Sequence, residues 1–302
     1  MHESYLATLR LLLQVLPTVF DNRHLALKGG TAINLFVNDF PRVSVDIDCT
    51  LIDASLTRTK ALVTIQNEIE RMAAVYESVG FRTKRVGSGE KLTVSNGKAI
   101  VKIEINPVMR GTLLPCVDMP VCDTLQKINL GNSFFVSVLH PDELYAGKLV
   151  AALDRQHPRD LFDCWLLLKR NGLTEQMLDC FVIYLAAHNR PMHEVLVGND
   201  QPLEAIYNNS FVGMIKESVK LEELLKVRRQ LRTILPECLG TKRKKFLHSF
   251  AEGNPNWALA PFESARNLPA IKWKLHNLKK LEGTNPDKLR DQLNLLDRAL
   301  KL

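Results

Sequence analysis

Two aspartates in a strongly alternating stretch could bind a metal ion. Between Arg42 and Leu51 every odd position is apolar and every even position is polar, which is the pattern of a β-strand with one buried face. On such a strand Asp46 and Asp48 point to the same side, with Cα atoms roughly 6.5–7 Å apart. Two carboxylates held this close repel each other unless a cation lies between them. The stretch therefore predicts a metal site on a central strand.

A third acid, Glu104, has the same position in another alternating stretch. It lies among the polar positions of residues 98–105, and Asn96-Gly97 connects this run to the alternating run 91–95. Asn-Gly between two such runs predicts a β-hairpin, whose second strand could lie beside the aspartates. Three carboxylates on neighbouring strands are the usual ligands of a two-metal phosphoryl-transfer site. Mg²⁺ is typically bound by such carboxylates together with substrate phosphates, and a carboxylate near the nucleophile can help to remove its proton.

A glycine turn precedes these acids. Gly29-Gly30-Thr31 separates a short apolar strand, residues 25–27, from a helical pattern that begins at Ala32. Glycines let backbone N–H groups approach a phosphate, and the following helix adds a positive dipole end. Taken alone, the motif is better explained as a tight turn that requires positive φ.

Cationic and acidic residues follow on two predicted helices. Lys148 and Arg155 are seven positions apart and so share one helix face, where a cation could neutralise the charge of a triphosphate. Asp160 and Asp163 lie in the first turns of the next helix, after Pro158. Their placement there also fits a favourable interaction with the helix dipole, or a salt bridge to Arg155 or Arg159.

The elements that must position these residues suggest two domains. Residues 1–173 mix strands with helices at 5–20, 57–79, 141–154 and 158–172, and a further strand is predicted at 134–139. Residues 174–302 show helical patterns at about 174–188, 209–235, 241–251, 262–281 and 286–301. We therefore predict a mixed α and β domain over residues 1–173, followed by an all-helical basic domain over residues 174–302.

Composition narrows the class of protein. The chain has 302 residues and a net charge of +7, which suits a polyanionic partner without requiring one. Between Lys226 and Lys245 eight basic residues face one acid, and four lysines lie between Lys272 and Lys280. Such runs are often solvated helix faces, but beside a nucleotide site they favour a track for a phosphate backbone.

Other features of the sequence argue against a membrane span, a secretory signal and a zinc site. No apolar run reaches the roughly 18–20 residues of a membrane span, and the N-terminus has no secretory-signal pattern. Six cysteines without a CxxC pair or ligand spacing predict reduced core residues and no zinc site. A cytoplasmic protein is expected.

Taken together, the motifs resemble a known family. They are Leu27-Lys28-Gly29-Gly30-Thr31-Ala32, Arg42-x-Ser44-x-Asp46-x-Asp48, the strand acid Glu104, Lys148 and Arg159-Asp160-x-x-Asp163. Across roughly residues 20–170 they resemble the AbiEii/AbiGii toxin family, nucleotidyltransferases of the DNA polymerase β-like superfamily. The resemblance implies a small mixed or antiparallel sheet flanked by helices in the nucleotidyltransferase domain.

The resemblance also implies an activity and a set of functional residues. Members transfer a nucleoside monophosphate from an NTP to an acceptor, including the 3′ end of tRNA, and belong to toxin–antitoxin or phage-defence pairs whose antitoxin is often a winged-helix repressor. Asp46, Asp48 and Glu104 would hold Mg²⁺ or Mn²⁺, and Lys148 and Asp160 would complete the catalytic set. The residues expected to face the NTP phosphates are Lys28, Gly29, Gly30, Thr31, Arg42, Ser44, Lys148 and Arg155.

Two departures from the family pattern and two alternative functions stay open. Val45 stands where many relatives carry a polar residue, and Glu104 is longer than the aspartate that polymerase-like enzymes commonly use. The chain could instead be a small-molecule nucleotidyltransferase of the antibiotic-modifying type, or a non-catalytic nucleotide-binding module. The retained acids and Lys148 count against the non-catalytic module. Neither the NTP, the acceptor nor the oligomeric state follows from the residues.

Overall fold

A computed structural model of the chain describes residues 3–87, 89–128 and 134–302. The chain divides into two units, one formed by Met1–Leu144 with Val212–Ser218 and the other by Tyr145–Phe211 with Val219–Leu302. The short segment Val212–Ser218 therefore returns to the first unit from within the helical half of the sequence.

The strands all belong to the first unit. Their bounds are β1 Leu25–Lys28, β2 Asp46–Leu51, β3 Arg82–Val86, β4 Lys91–Ser95, β5 Ile100–Asn106, β6 Val117–Pro120 and β7 Phe135–Val138. They form one mixed sheet in the order β3-β4-β5-β2-β1-β7-β6. The central strand β2 runs parallel to β5 and antiparallel to β1, and β4 and β5 form the hairpin expected around Asn96-Gly97.

Helices begin and end as follows. They are α1 Glu3–Val19, α2 Gly29–Ala32, α3 Arg58–Ser78, α4 Asp123–Ile128, α5 Pro141–Asp154, α6 Pro158–Arg170, α7 Glu175–Ala187, α8 Met192–Val197, α9 Glu204–Ile206, α10 Leu221–Cys238, α11 Gly240–Ala251, α12 Pro269–Thr284 and α13 Pro286–Leu300. A π-helical turn, Ile33–Val37, continues α2. Within the described residues, no helix is long and apolar enough to span a membrane.

The core of the first unit lies beneath the apolar face of the alternating strands. Ile47 and Cys49 of β2 and Ile103 and Ile105 of β5 are fully buried, where α1 packs against β5 and α3 packs against α1, β3 and β4. The Tyr76 hydroxyl of α3 donates a hydrogen bond of 2.8 Å to the carbonyl of Val15 in α1. The opposite face of β2 and β5 carries polar side chains and does not belong to this core.

The second unit is built from helices. α6 packs against α10, α7 against α11 and α12, and α13 against α8 and α12. Its buried aromatic residues include Phe162, Phe181 and Phe246. The Thr174 side chain accepts a hydrogen bond from the N–H of Met177 and so caps α7.

Five expectations are wrong in detail. The helix predicted over about 262–281 begins at Pro269, because Glu263–Asn267 forms a separate 3₁₀ turn, and the helix predicted from Ala32 already begins at Gly29. The strand predicted from Arg42 begins at Asp46, because Arg42 forms only an isolated bridge with Ile215. The helix predicted over 209–235 begins at Leu221, since residues 212–218 leave the helix to pair with residues 41–43, where Val43 donates to the carbonyl of Met214. Not all cysteines are core residues, because Cys238 is exposed.

Candidate active site

The central feature of the first unit is a row of charged side chains across three strands. Lys28 of β1 pairs with Asp48 of β2, and Asp48 pairs in turn with Glu104 of β5. Directly paired residues on neighbouring strands present their side chains on the same face of the sheet. Asp46, two residues before Asp48, shares that face, is exposed, and pairs with Lys102. The alternation therefore predicted the neighbourhood of the three acids.

The glycine turn lies directly against this row. Gly29 has φ +75°, and a Cβ built on it would lie 2.6 Å from Asp48 Oδ2. A Cβ on Gly30 would lie 2.8 Å from Arg42 Nη2 and 2.9 Å from Ser44 Oγ. Both positions therefore require glycine for close approach, and Gly29 also requires it for its backbone conformation.

Side chains expected at the phosphates are instead buried behind the turn. The Thr31 hydroxyl, 1% exposed, donates a 2.5 Å hydrogen bond to the carbonyl of Asp46 and lies 3.1 Å from Ser44 Oγ. Arg42, 2% exposed, donates to the carbonyl of Val43. In this arrangement Thr31, Ser44 and Arg42 support the turn and the start of β2. A direct contact between these side chains and phosphate stays a prediction.

Lys28, at one end of the row, lies near the buried carboxylate of Glu143. Burial lowers the pKa of Lys28, and the nearby charges of Asp48, Glu104 and Glu143 oppose that shift. Glu143 is 1% exposed and accepts hydrogen bonds of 3.0 and 3.1 Å from the N–H groups of Leu113 and Leu114. From the sequence its position in a first helical turn was the only signal, and it did not reveal this buried role.

Two lysines hold Glu104. Lys102 Nζ lies 2.8 Å and Lys91 Nζ 3.2 Å from Glu104 Oε2. Burial raises the pKa of Glu104, but the hydrogen bonds and charges of the two lysines outweigh burial and hold it below its ordinary value. The hydrogen bond to Glu104, with the charges of Asp46 and Asp48, raises the pKa of Lys102.

These lysines were missed as site residues, although both lie at polar positions of alternating strands. Among the described residues no three His, Cys, Asp or Glu side chains group closely enough to hold a metal ion. Glu104 points its carboxylate at the lysines, so its role as a third metal ligand stays a prediction that requires it to leave them. Asp46 and Asp48 alone still offer oxygen ligands on an accessible face, as Mg²⁺ requires.

The second unit holds the other predicted catalytic residues in one buried cluster. Lys148 Nζ lies 2.8 Å from Asp160 Oδ1 and 3.1 Å from Asp163 Oδ2. Arg155, just beyond the end of α5, binds both oxygens of Asp160 at 2.5 and 2.9 Å. Lys148, Asp160 and Asp163 are 6%, 1% and 0% exposed. Lys148 is thus bound by two buried carboxylates, and Asp163 takes part in the cluster although it lies beyond the first turn of α6.

Comparison with known proteins identifies the family. A family model described as nucleotidyl transferase AbiEii toxin, type IV toxin–antitoxin system, matches residues 10–276. The chain belongs to the AbiEii family. It is therefore a nucleotidyltransferase toxin of a type IV toxin–antitoxin system.

A solved structure shares the fold. MenT4, a nucleotidyltransferase toxin from Mycobacterium tuberculosis H37Rv, matches with a TM-score of 0.59 at 16% sequence identity, over 91% of this chain and 92% of that one. At this identity the likeness concerns the fold, and the mixed α and β architecture expected of an AbiEii nucleotidyltransferase is confirmed. No curated protein sequence gives a significant match.

The basic segments of this AbiEii-family chain are less available than their sequence indicates. Arg228 is 5% exposed and binds Asp200 and Gln156. Arg243 binds Glu175 and Asp179. The run 226–245 therefore mixes ion-paired arginines with solvent-facing cations, and in the run 272–280 the buried Lys274 donates to the carbonyls of Asn189 and Arg190, because helical periodicity turns part of each run inward.

Proposed function

We propose that this AbiEii-family toxin transfers a nucleoside monophosphate from an NTP to an RNA acceptor, such as the 3′ end of tRNA. The acceptor hydroxyl would attack the α-phosphorus, form a phosphodiester bond and release pyrophosphate. The observation that carries the proposal is the close approach of Gly29, in the Gly29-Gly30 turn, to the carboxylate of Asp48 in β2. It joins an anion-binding backbone to the acids that would hold the accompanying cation.

Asp46 and Asp48 would hold Mg²⁺, or Mn²⁺ in its place, with Glu104 as the third acid. When bound, the metal would neutralise phosphate charge and stabilise the attacking and leaving oxygens. The donor set fits a hard cation, since both aspartates supply carboxylate oxygens on one face of one strand.

The chain's own residues would position the nucleotide. The first N–H groups of a helix lack acceptors within it, so the backbone of Gly29 and Gly30 can donate to phosphate oxygens. Lys28 beside Asp48 and Lys102 beside Asp46 add positive charge to the same face. A carboxylate of the row would take the proton of the acceptor hydroxyl.

The remaining assignments concern the two domains, the antitoxin and the location in the cell. Residues 1–173 would form the nucleotidyltransferase domain and residues 174–302 the acceptor-binding domain, with Lys148 and Asp160 supporting catalysis. A type IV system implies a cognate antitoxin, which we propose to be a protein of the winged-helix repressor class. The pair would act in the cytoplasm, with phage defence as one possible setting.

One observation favours a small-molecule acceptor instead. Arg228, Arg243 and Lys274, which the sequence placed in the polyanion track, are bound by other groups of the protein. A salt titration separates the two acceptors, because RNA binding should weaken steeply with salt and binding of a small acceptor should not.

The test is transfer of each labelled NTP to total cellular RNA by wild type, Asp46→Asn and Asp48→Asn. We expect both variants to lose transfer while remaining folded. Asp53→Asn is the matched control, because Asp53 is an exposed carboxylate just beyond the same strand. Full transfer by either site variant would contradict the proposal.

A further inference from the structure

One exposed aromatic residue stands out in the helical unit. The Trp273 side chain, on α12, is 59% exposed, and its ring lies nearly parallel to that of His276, with centroids 5.8 Å apart and planes at 20°. Trp257 of the same unit, by contrast, packs against Phe246. Keeping the large apolar surface of a tryptophan in water opposes folding. Its exposed ring is a surface on which another flat group can stack.

The cations around Trp273 share its side of the helix. At about 100° per residue, Lys272, His276, Lys279 and Lys280 fall on the same arc of α12 as Trp273. All five of these residues, which we call the α12 face, are exposed. The opposite arc carries the buried Ala270, Ile271, Lys274 and Leu278.

The α12 face carries no acid. Glu282, the single acidic residue of α12, falls on the border of the opposite arc by the same geometry. Three lysines, a histidine and a tryptophan thus face solvent together, which gives this surface a uniform sign of charge around two flat rings.

We propose that the α12 face binds single-stranded RNA, with Trp273 and His276 stacking on bases and the three lysines contacting phosphates. Non-specific single-strand sites combine these two features, aromatic platforms and a positively charged track. Tryptophan is enriched at protein–protein interfaces but lysine is depleted there, so the three lysines are the feature that favours a polyanion over a protein. The inference rests on the proposed RNA acceptor and adds the surface that would hold it.

The experiment measures binding of a fluorescein-labelled 12-nucleotide oligo(U) to the full chain by anisotropy, without NTP. Trp273→Ala should weaken binding about 5- to 150-fold, while Trp273→Phe, which keeps a ring, should stay close to wild type. Lys279→Gln with Lys280→Gln should reduce the slope of log affinity against log salt by about 1.4. Ile206→Ala and Lys288→Gln, at exposed positions of the same unit, are the controls for lost apolar surface and lost charge.

The outcomes separate this inference from the proposed function. Binding by Trp273→Ala that equals wild type overturns the α12 face, even if wild type transfers nucleotide to RNA. Wild type that binds the oligonucleotide only as weakly as Trp273→Ala, or prefers vesicles of anionic lipid, also overturns it. Wild type that binds through Trp273 but transfers no nucleotide supports the α12 face and contradicts the proposed function.

Discussion

Gly29 lies against the carboxylate of Asp48, so closely that a β-carbon at position 29 would lie 2.6 Å from Asp48 Oδ2. The residue that turns the chain and the acid that would hold a cation are thereby fixed to each other. Any change at Gly29 acts on Asp48 directly, and this link makes the glycine turn part of the site.

Gly29→Ala should abolish most nucleotide transfer and lower stability by about 1–2 kcal/mol, because a non-glycine residue is strained at positive φ and its methyl group displaces Asp48. Gly80→Ala is the matched control, since Gly80 has φ +89° and nothing within 4 Å of an added Cβ. It should show the stability loss with normal transfer. Measuring transfer and urea unfolding of both variants checks the prediction, and equal transfer by the two would contradict it.

Lys148→Met should lower the free energy of unfolding by about 3–5 kcal/mol, because it removes the lysine that balances the buried charge of Asp163, while Asp160 keeps its pair with Arg155. Lys226→Met, at an exposed position of the same unit, should change it by less than about 0.5 kcal/mol. Denaturant unfolding checks both values. Adding Asp163→Asn to Lys148→Met should recover part of the loss, and absence of any recovery would argue that the ion pairs do not cause it.

Asp160 should make the protein acid-sensitive. Although burial raises its pKa, the charge of Lys148 and the hydrogen bonds and charge of Arg155 outweigh burial and hold it well below the ordinary value of 3.8. A depressed carboxyl pKa gives stability that is present above the unfolded-state value and is lost as pH falls below it. The stability advantage of wild type over Asp160→Asn should therefore shrink from about pH 4 downward. A constant difference between pH 6 and pH 2.5 would refute this.

Lys274 should make the stability of the protein depend on pH in the alkaline range. Burial lowers its pKa from 10.5 to about 8, and its ammonium donates to the carbonyls of Asn189 and Arg190. Between pH 8 and 10.5 the unfolded chain binds more protons at this residue, so its contribution to stability rises with pH. The unfolding free energy of wild type relative to Lys274→Met should increase over this range by up to about 3 kcal/mol. A flat difference would mean that Lys274 stays charged in the fold.

Local pattern predicted the elements that carry the acids. The alternation around Asp46 and Glu104 and the Asn96-Gly97 turn led to strands β2, β4 and β5, and Pro141 marked the start of α5. Strands β3 and β6 were not predicted. In Arg82–Val86 four of five residues are polar, and Val117–Pro120 contains an aspartate and a proline, so neither presents the apolar alternation that reveals a strand.

The sequence offered the ion pair between Arg155 and Asp160, which the structure contains, but it could not predict the pairs that tertiary packing makes. Lys91 reaches Glu104 only because β4 pairs with β5 in one register. Lys148 meets Asp163 because α5 and α6 bring their inner faces together. Arg243 reads as part of a basic run, yet it binds Asp179 on a helix far away in sequence. Ion pairs of this kind depend on tertiary packing, which residue spacing does not encode.

The parallel pairing of β2 with β5 has a consequence for synthesis of the protein. Asp48 and Glu104 belong to strands separated by α3 and two further strands, so their register forms only after a long loop has closed, which is a slow step in folding. A nascent chain on the ribosome cannot assemble the charged row until β5 has emerged. Until residues 100–106 have been made, this toxin therefore has no complete charged row.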